Sequence, residues 1–163
     1  MTRDDVIHAL QLTPHIEGGF FRRTYASTQT TTRADGVTRP LLSSIFYMLT
    51  ADHPRGRLHR NRSDILHYWH AGGALRYWLV KPDGELVQAV LGPDLANAQQ
   101  LQLLVPGGWW KATELIAGTE DYGLLSEAVC PGFDFADMTL ATTADIAATL
   151  PQHLDTLQPF CGS

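Results

Sequence analysis

The sequence predicts an all-β domain, a jelly roll or small barrel with a short helix at each end, and three observations carry that reading. From Gly19 onward, short segments rich in aromatic, β-branched and other apolar residues alternate with Gly, Pro, Asp and Asn clusters at fairly regular intervals. Helical spacing is confined to the two ends. The chain has 163 residues, 44% of them apolar and 18% charged, which suits one domain, 1–163, whose core needs no metal or disulfide to hold it.

Taken in order, Thr2 followed three residues later by Asp5 reads as a helix cap, and Val6, Ile7 and Leu10 keep helical spacing until Pro14 closes the segment. Ten strands are then expected: Phe20–Ala26, Leu42–Thr50, Arg57–Asn61, Ile65–His70, Leu75–Val80, Leu86–Leu91, Gln102–Val105, Trp109–Leu115, Gly123–Val129 and Met138–Ala141. Pro82-Asp83-Gly84 is a tight hairpin signal, because Gly supplies a positive φ without steric cost. Thr143 reads as a cap for a helix over Ala144–Leu150 that Pro151 stops. Closed or doubled sheets then deal with the exposed strand edges.

The net charge of −5 gives no basic field for nucleic acid or anionic lipid. No apolar run is long enough for a membrane span, and Met1–Asp5 lacks the basic-then-apolar layout of a secretory signal. A cytoplasmic location is therefore expected. Cys130 and Cys161 have neither disulfide-framework nor metal-site spacing.

Chemistry concentrates in two stretches. The first, Arg55 to Gly72, holds three of the seven His. Residues two apart in a strand share a face, so His59 and Asn61 project together, and Ile65, His67 and Trp69 share another face across a hairpin at Ser63-Asp64. The second stretch, Val105 to Lys111, opens a strand with Trp109, Trp110 and Lys111. An indole offers a wide apolar plate and one N–H donor. Trp109 and Trp110 point to opposite faces, so at most one lines a pocket and the other packs under a helix or at a dimer contact.

With Pro14-His15-Ile16-Glu17-Gly18-Gly19-Phe20, the His59–Gly72 block, Leu91-Gly92-Pro93-Asp94, Pro106–Lys111 and Pro131-Gly132-Phe133-Asp134-Phe135, most of the chain resembles the cupin superfamily, in its branch known as cupin superfamily 5. The resemblance implies a double-stranded β-helix (the cupin jelly roll), a pocket inside the barrel, and commonly a homodimer formed by exchange of edge strands. Metal-binding cupins carry His-x-His, a Glu, a Gly seven residues beyond it, and Pro-x-Gly-x-x-His. At those positions this chain has His59, Asn61, Ile65 ahead of Gly72, and Lys111. One ligand of four survives, so no catalytic metal and no cofactor is expected.

Arg57-Leu58-His59-Arg60-Asn61 is similar to the Leu-His-x-Gln segment of metal-free cupins that epimerise keto-sugars. Neutral imidazole suits removal of a proton α to a carbonyl. His59 is accordingly expected as the base, Lys111 as the cation that stabilises the enolate, and Tyr47 or Glu127 as the acid on the opposite face. Glu127 stands out within the apolar run Leu124–Val129, where a carboxylate is paired or functional. Glu17, Asn61, Ser63, Asp64, His67, Trp109 and Trp110 are the expected ligand-binding residues. The plainer alternatives are a Glu17 that pairs Arg22 or Arg23, a turn role for Ser63 and Asp64, and a packing role for His67 and His70. The leading expectation is a small-molecule isomerase or epimerase. A non-catalytic binding or sensing protein, and a degenerate metal enzyme using His59 and His67, are the alternatives.

Overall fold

Strand parity decides which side chains meet in the interior, and it does so twice, once for each of two antiparallel sheets. The computed structural model describes residues 1–118 and 120–162. Its elements in chain order are α1 (Arg3–Leu10), β1 (Thr13–Pro14), β2 (Phe20–Ala26), β3 (Thr30–Thr32), β4 (Thr38–Pro40), β5 (Ser43–Thr50), β6 (Arg55–Asn61), β7 (Asp64–Gly72), β8 (Leu75–Val80), β9 (Leu86–Leu91), β10 (Gln102–Val105), β11 (Trp110–Leu115), β12 (Tyr122–Cys130), β13 (Met138–Leu140), α2 (Thr143–Thr149) and α3 (Leu154–Leu157). Six strands form one sheet in the order β1-β2-β5-β12-β7-β10, and five form the other in the order β13-β6-β11-β8-β9. The pair β3-β4 stands apart as a small hairpin.

The inner faces share one apolar cluster that includes Tyr47, Leu49, Leu75, Tyr77, Leu79, Leu103, Val105 and Leu125. Residues of opposite parity serve the outer faces. Met48 and Leu124 pack beneath α1 with Val6 and Leu12. Leu58, Val80 and Ala112 pack beneath the C-terminal helices with Ile146, Leu150, Leu157 and Phe160. Each sheet is thus buried on both sides over part of its area, which lets continuous apolar runs and alternating runs coexist in one chain.

All ten expected strands form, four of them with the expected ends: β2, β8, β9 and β10. The Asp83-Gly84 turn joins β8 to β9, with Gly84 at φ +88°. Helix α1 has its capping box at Thr2 and Asp5, but it stops three residues before Pro14 at Gln11, which adopts a left-handed conformation (φ 53°). Pro14 instead pairs with Phe20 in β1. The cap of α2 is Thr142, one residue ahead of the expected Thr143, because Asp145 sits three residues after it and completes the capping box.

One expectation is corrected in a way that matters for the site. β6 and β7 do not form a hairpin. β6 pairs with β11 and β13, whereas β7 pairs with β12 and β10. The chain turns from one sheet to the other at Arg62-Ser63, so His59, Asn61, Ile65 and His67 face one another across the barrel instead of lying along one sheet.

Candidate functional site

The open end of the barrel holds a small pocket that opens to solvent. Its polar lining comes from His15, Glu17, His59, Asn61 and Glu127, with Arg23 exposed at the rim. Its apolar walls are Phe21, Ile45, Ile65, Val129, Phe133 and Phe135. A mostly apolar hollow with a few convergent polar groups is the usual form of a small-molecule site.

Glu17 reaches the interior because the chain turns sharply after it. Gly18 has φ +93°, and a Cβ there would come within 2.5 Å of the Arg55 carbonyl oxygen. Only glycine fits there. The turn is held by the hydroxyl of Tyr47, which donates to the Gly18 carbonyl at 2.9 Å, and by the amide of Arg57, which donates to the Glu17 carbonyl. Glu17 Oε2 then lies 3.2 Å from His59 Nε2 and 3.8 Å from His15 Nδ1. It pairs with neither Arg22 nor Arg23.

The protonation of this pair follows from its contacts. His59 Nδ1 lies 2.6 Å from the Arg57 carbonyl oxygen and must donate to it, so the neutral ring presents the Nε2 lone pair to Glu17. Burial, followed by the charge of Lys111, pushes the His59 pKa down to about 4. Burial raises that of Glu17 to about 7, against the pull of Lys111 and His15. Below about pH 7 the dyad is a carboxyl proton shared with a neutral imidazole, and above it Glu17 is a carboxylate beside the same neutral ring, so at neither is it an ion pair.

Deeper in the barrel a second group has the opposite character. Lys111 on β11 donates to His67 Nε2 on β7 at 2.7 Å and to Glu127 Oε1 on β12 at 3.0 Å. Adjacent strands set Glu127 opposite His67 in register, and Lys111 reaches them from the other sheet. His67 is fully buried, and its Nδ1 lies 3.3 Å from the Leu103 carbonyl oxygen. Burial works against a charged Glu127, but Lys111 and His67 outweigh it and hold the carboxyl well below the ordinary range. Burial and then Lys111 lower the His67 pKa, so the group is Lys⁺, Glu⁻ and neutral His.

The structure therefore brings together Glu17, His59, Asn61 and Glu127 at the cavity and sends the other expected residues elsewhere. Tyr47 is buried behind the turn with its hydroxyl spent on Gly18, and burial raises its pKa well above the usual phenol value. Lys111 and Ser63 line a narrow crevice beneath the cavity, beside Trp109. Asp64 accepts the Gly107 amide at 2.8 Å, the turn role. Trp110 faces outward beneath the C-terminal helices, with the Arg60 guanidinium 4.7 Å from its ring. His70 also lies outside, against Ser126. The residues that sequence reasoning passed over are His15 and the walls Phe21, Ile45, Val129, Phe133 and Phe135. The signal was in the sequence only as proximity: His15 lies two before Glu17, and Phe133 lies two before Phe135, their rings 5.0 Å apart.

A family model described as Cupin superfamily (DUF985) matches residues 4–141. The chain belongs to this family. It is 38% identical over 152 residues, 86% of this chain and 75% of the relative, to the Uncharacterized protein YML079W of Saccharomyces cerevisiae. Among solved structures it is similar to a hypothetical protein from Leishmania major, with TM-score 0.94, 28% identity and full coverage of both chains. Protein SO0799 from Shewanella oneidensis gives TM-score 0.89 and 34% identity, covering 99% of this chain and 98% of that one. Oxalate decarboxylase from Bacillus subtilis shares the fold alone, at TM-score 0.57 and 15% identity over 92% of this chain and 37% of the enzyme.

The cupin fold often houses a metal, and the residues at that place here do not suit one. The ammonium of Lys111 already occupies the space between His67 Nε2 and Glu127 Oε1. Among the described residues no group of three or more His, Cys, Asp or Glu is placed to hold an ion. A residual site on His59 and His67 meets a further obstacle: their Nε2 atoms face different partners, Glu17 and the Lys111–Glu127 pair. Among the described residues no helix is long and apolar enough to cross a membrane.

Proposed function

We propose that this cupin is a metal-independent isomerase that moves a proton on a small polar keto-metabolite held in the barrel. The observation that carries the reading is the Glu17–His59 dyad at the cavity, 3.2 Å apart and close to no cation that would fix Glu17 as a permanent anion. The base is Glu17 and not the expected His59, because both ring nitrogens of His59 are committed, one to Arg57 and one to Glu17. Carboxylate Glu17 takes the proton from the hydroxyl-bearing carbon α to the carbonyl; the C–H pair forms the enediolate C=C bond, the carbonyl π pair moves onto its oxygen, and the adjacent hydroxyl proton passes to that oxygen. Protonated Glu17 then donates to His59 Nε2 until it returns the proton to the neighbouring atom. Asn61 supplies an amide N–H for the developing oxyanion. Epimerisation would need an acid on the other face, and neither Glu127, held ionised by Lys111, nor Tyr47, bonded to Gly18, is free for that role. The reading is therefore one-base isomerisation or tautomerisation.

Glu17→Gln is expected to lower solvent-deuterium incorporation into a hydroxyketone substrate by about two to four orders of magnitude, the usual share of a positioned base. Mass spectrometry across a panel of keto-sugars and keto-acids provides the check, and no incorporation with wild-type protein across the panel would sink the proposal. The second reading is a non-catalytic binding protein, favoured by the free acceptor on Asn61; it predicts ligand binding without any incorporation.

For assembly we propose a twofold homodimer through uncovered sheet edges. Strand β10 ends the larger sheet, and its Leu104 is 50% exposed. Light scattering should give twice the chain mass of 18.0 kDa; a stable monomer at micromolar concentration contradicts it.

A further inference from the structure

The polar lining is unevenly divided between donors and acceptors. Glu127 accepts from Lys111 through Oε1, with His67 Nε2 3.2 Å from the same oxygen, which leaves Oε2 without a partner among the described residues. Glu17 meets both His59 and His15 through Oε2, which leaves Oε1 in the same position. Asn61 is 9% exposed, and its Oδ1 is a buried acceptor with no hydrogen-bond partner. Three acceptors on three strands or turns thus converge on one cavity. Of the three, Asn61 Oδ1 is shut off from solvent; buried acceptors in native structures are nearly always satisfied, so this atom and the two carboxylate oxygens beside it mark where a ligand's donors belong. The cations of the region do not offset this pattern. Lys111 is spent on Glu127 and does not line the cavity, and Arg23 stands exposed at the rim.

We infer that the ligand is a compact neutral or cationic molecule that presents several hydroxyl or ammonium donors to Glu17, Asn61 and Glu127, rather than a carboxylate or a phosphate. Its less polar face lies against Phe21, Phe133 and Ile65. This deepens the isomerase reading by restricting its substrate to unphosphorylated hydroxylated or aminated compounds.

A matched set on one carbon skeleton tests the inference: D-glucosamine, D-glucose and D-glucuronate, titrated into the full chain by isothermal calorimetry and saturation-transfer NMR. Glucosamine and glucose are expected to bind at least about tenfold more tightly than glucuronate, the equivalent of one good hydrogen bond gained or one carboxylate repelled. Asn61→Leu, which keeps the volume and removes the acceptor, should weaken the two favoured probes about tenfold while its thermal midpoint stays near that of the wild type. Equal affinities, a preference for glucuronate, or no binding of any probe overturns the inference. If the affinity order holds while deuterium exchange is absent, the proton-transfer reading falls and the donor-binding site stands. If exchange occurs only on anionic substrates, the isomerase stands and this inference falls.

Discussion

Glu17 and Glu127 sit in the same barrel, each within 3.2 Å of a histidine Nε2, and their carboxyl groups are driven in opposite directions. Burial acts on both. For Glu127 an ammonium at 3.0 Å outweighs it; for Glu17 no cation comes so close, and the pKa climbs to about 7. A carboxylate with a buried cation becomes a staple between sheets. One whose nearest polar neighbours are neutral imidazoles becomes a group that can exchange its proton at physiological pH. The identity of the third neighbour, not the Glu–His pair itself, separates structure from chemistry.

The strongest way to break this contrast is Lys111→Met, which removes the staple's cation and strands Glu127. Breaking a buried pair from one side costs about 3–5 kcal/mol, roughly a 10 °C fall in melting temperature for a chain of this size. Calorimetry should show most of it recovered by Lys111→Met combined with Glu127→Leu, because no buried charge then remains. A loss confined to ligand binding, with stability intact, would return Lys111 to the functional role that its position in the cupin pattern implied.

A smaller effect sharpens the other half of the comparison. Glu17 is raised from 4.5 to about 7, so it stabilises the fold below pH 4.5 relative to high pH, and this is lost as pH rises through 7. His59 is lowered from 6.5 to about 4, so its contribution is present above pH 6.5 and is lost as pH falls through 4. Between about pH 4.5 and 6.5 the folded dyad holds its proton on Glu17 while the unfolded chain holds one on His59. The proton counts match, and the wild-type dyad adds no slope. Relative to wild type, Glu17→Gln should therefore gain stability with rising pH across this window, and His59→Asn should lose it, each by about 1.4 kcal/mol per pH unit at most. Urea titrations at pH 5, 6 and 7 check the two slopes. Parallel curves for wild type and both variants would mean that the two groups do not share a proton.

The path from sequence to site was uneven for reasons that particular residues make clear. β8 and β9 were legible to the residue because turn formers lie at both their ends, as Pro82 and Gly84 do between them. His59 and Asn61 were correctly set on one face by two-residue parity. Ile65 and His67 were placed in the wrong geometry, because a short polar connection such as Arg62-Ser63 reads the same whether it closes a hairpin or turns a corner between sheets. Lys111 looked like a free cation because its partners stand 44 and 16 positions away in the chain. Tyr47 looked like a free acid because its acceptor, Gly18, lies 29 positions earlier.

The sequence by itself determined the all-β class, the capping box of α1 and the pairing of His59 with Asn61 on one strand face, since each of these depends on residues close together along the chain. Tertiary structure alone decided which strands share a sheet, which carboxylate receives the buried ammonium, and hence which of Glu17 and Glu127 can carry a proton. Charge interactions between side chains depend on distance in space and on exclusion of water, and neither quantity is set by separation along the sequence.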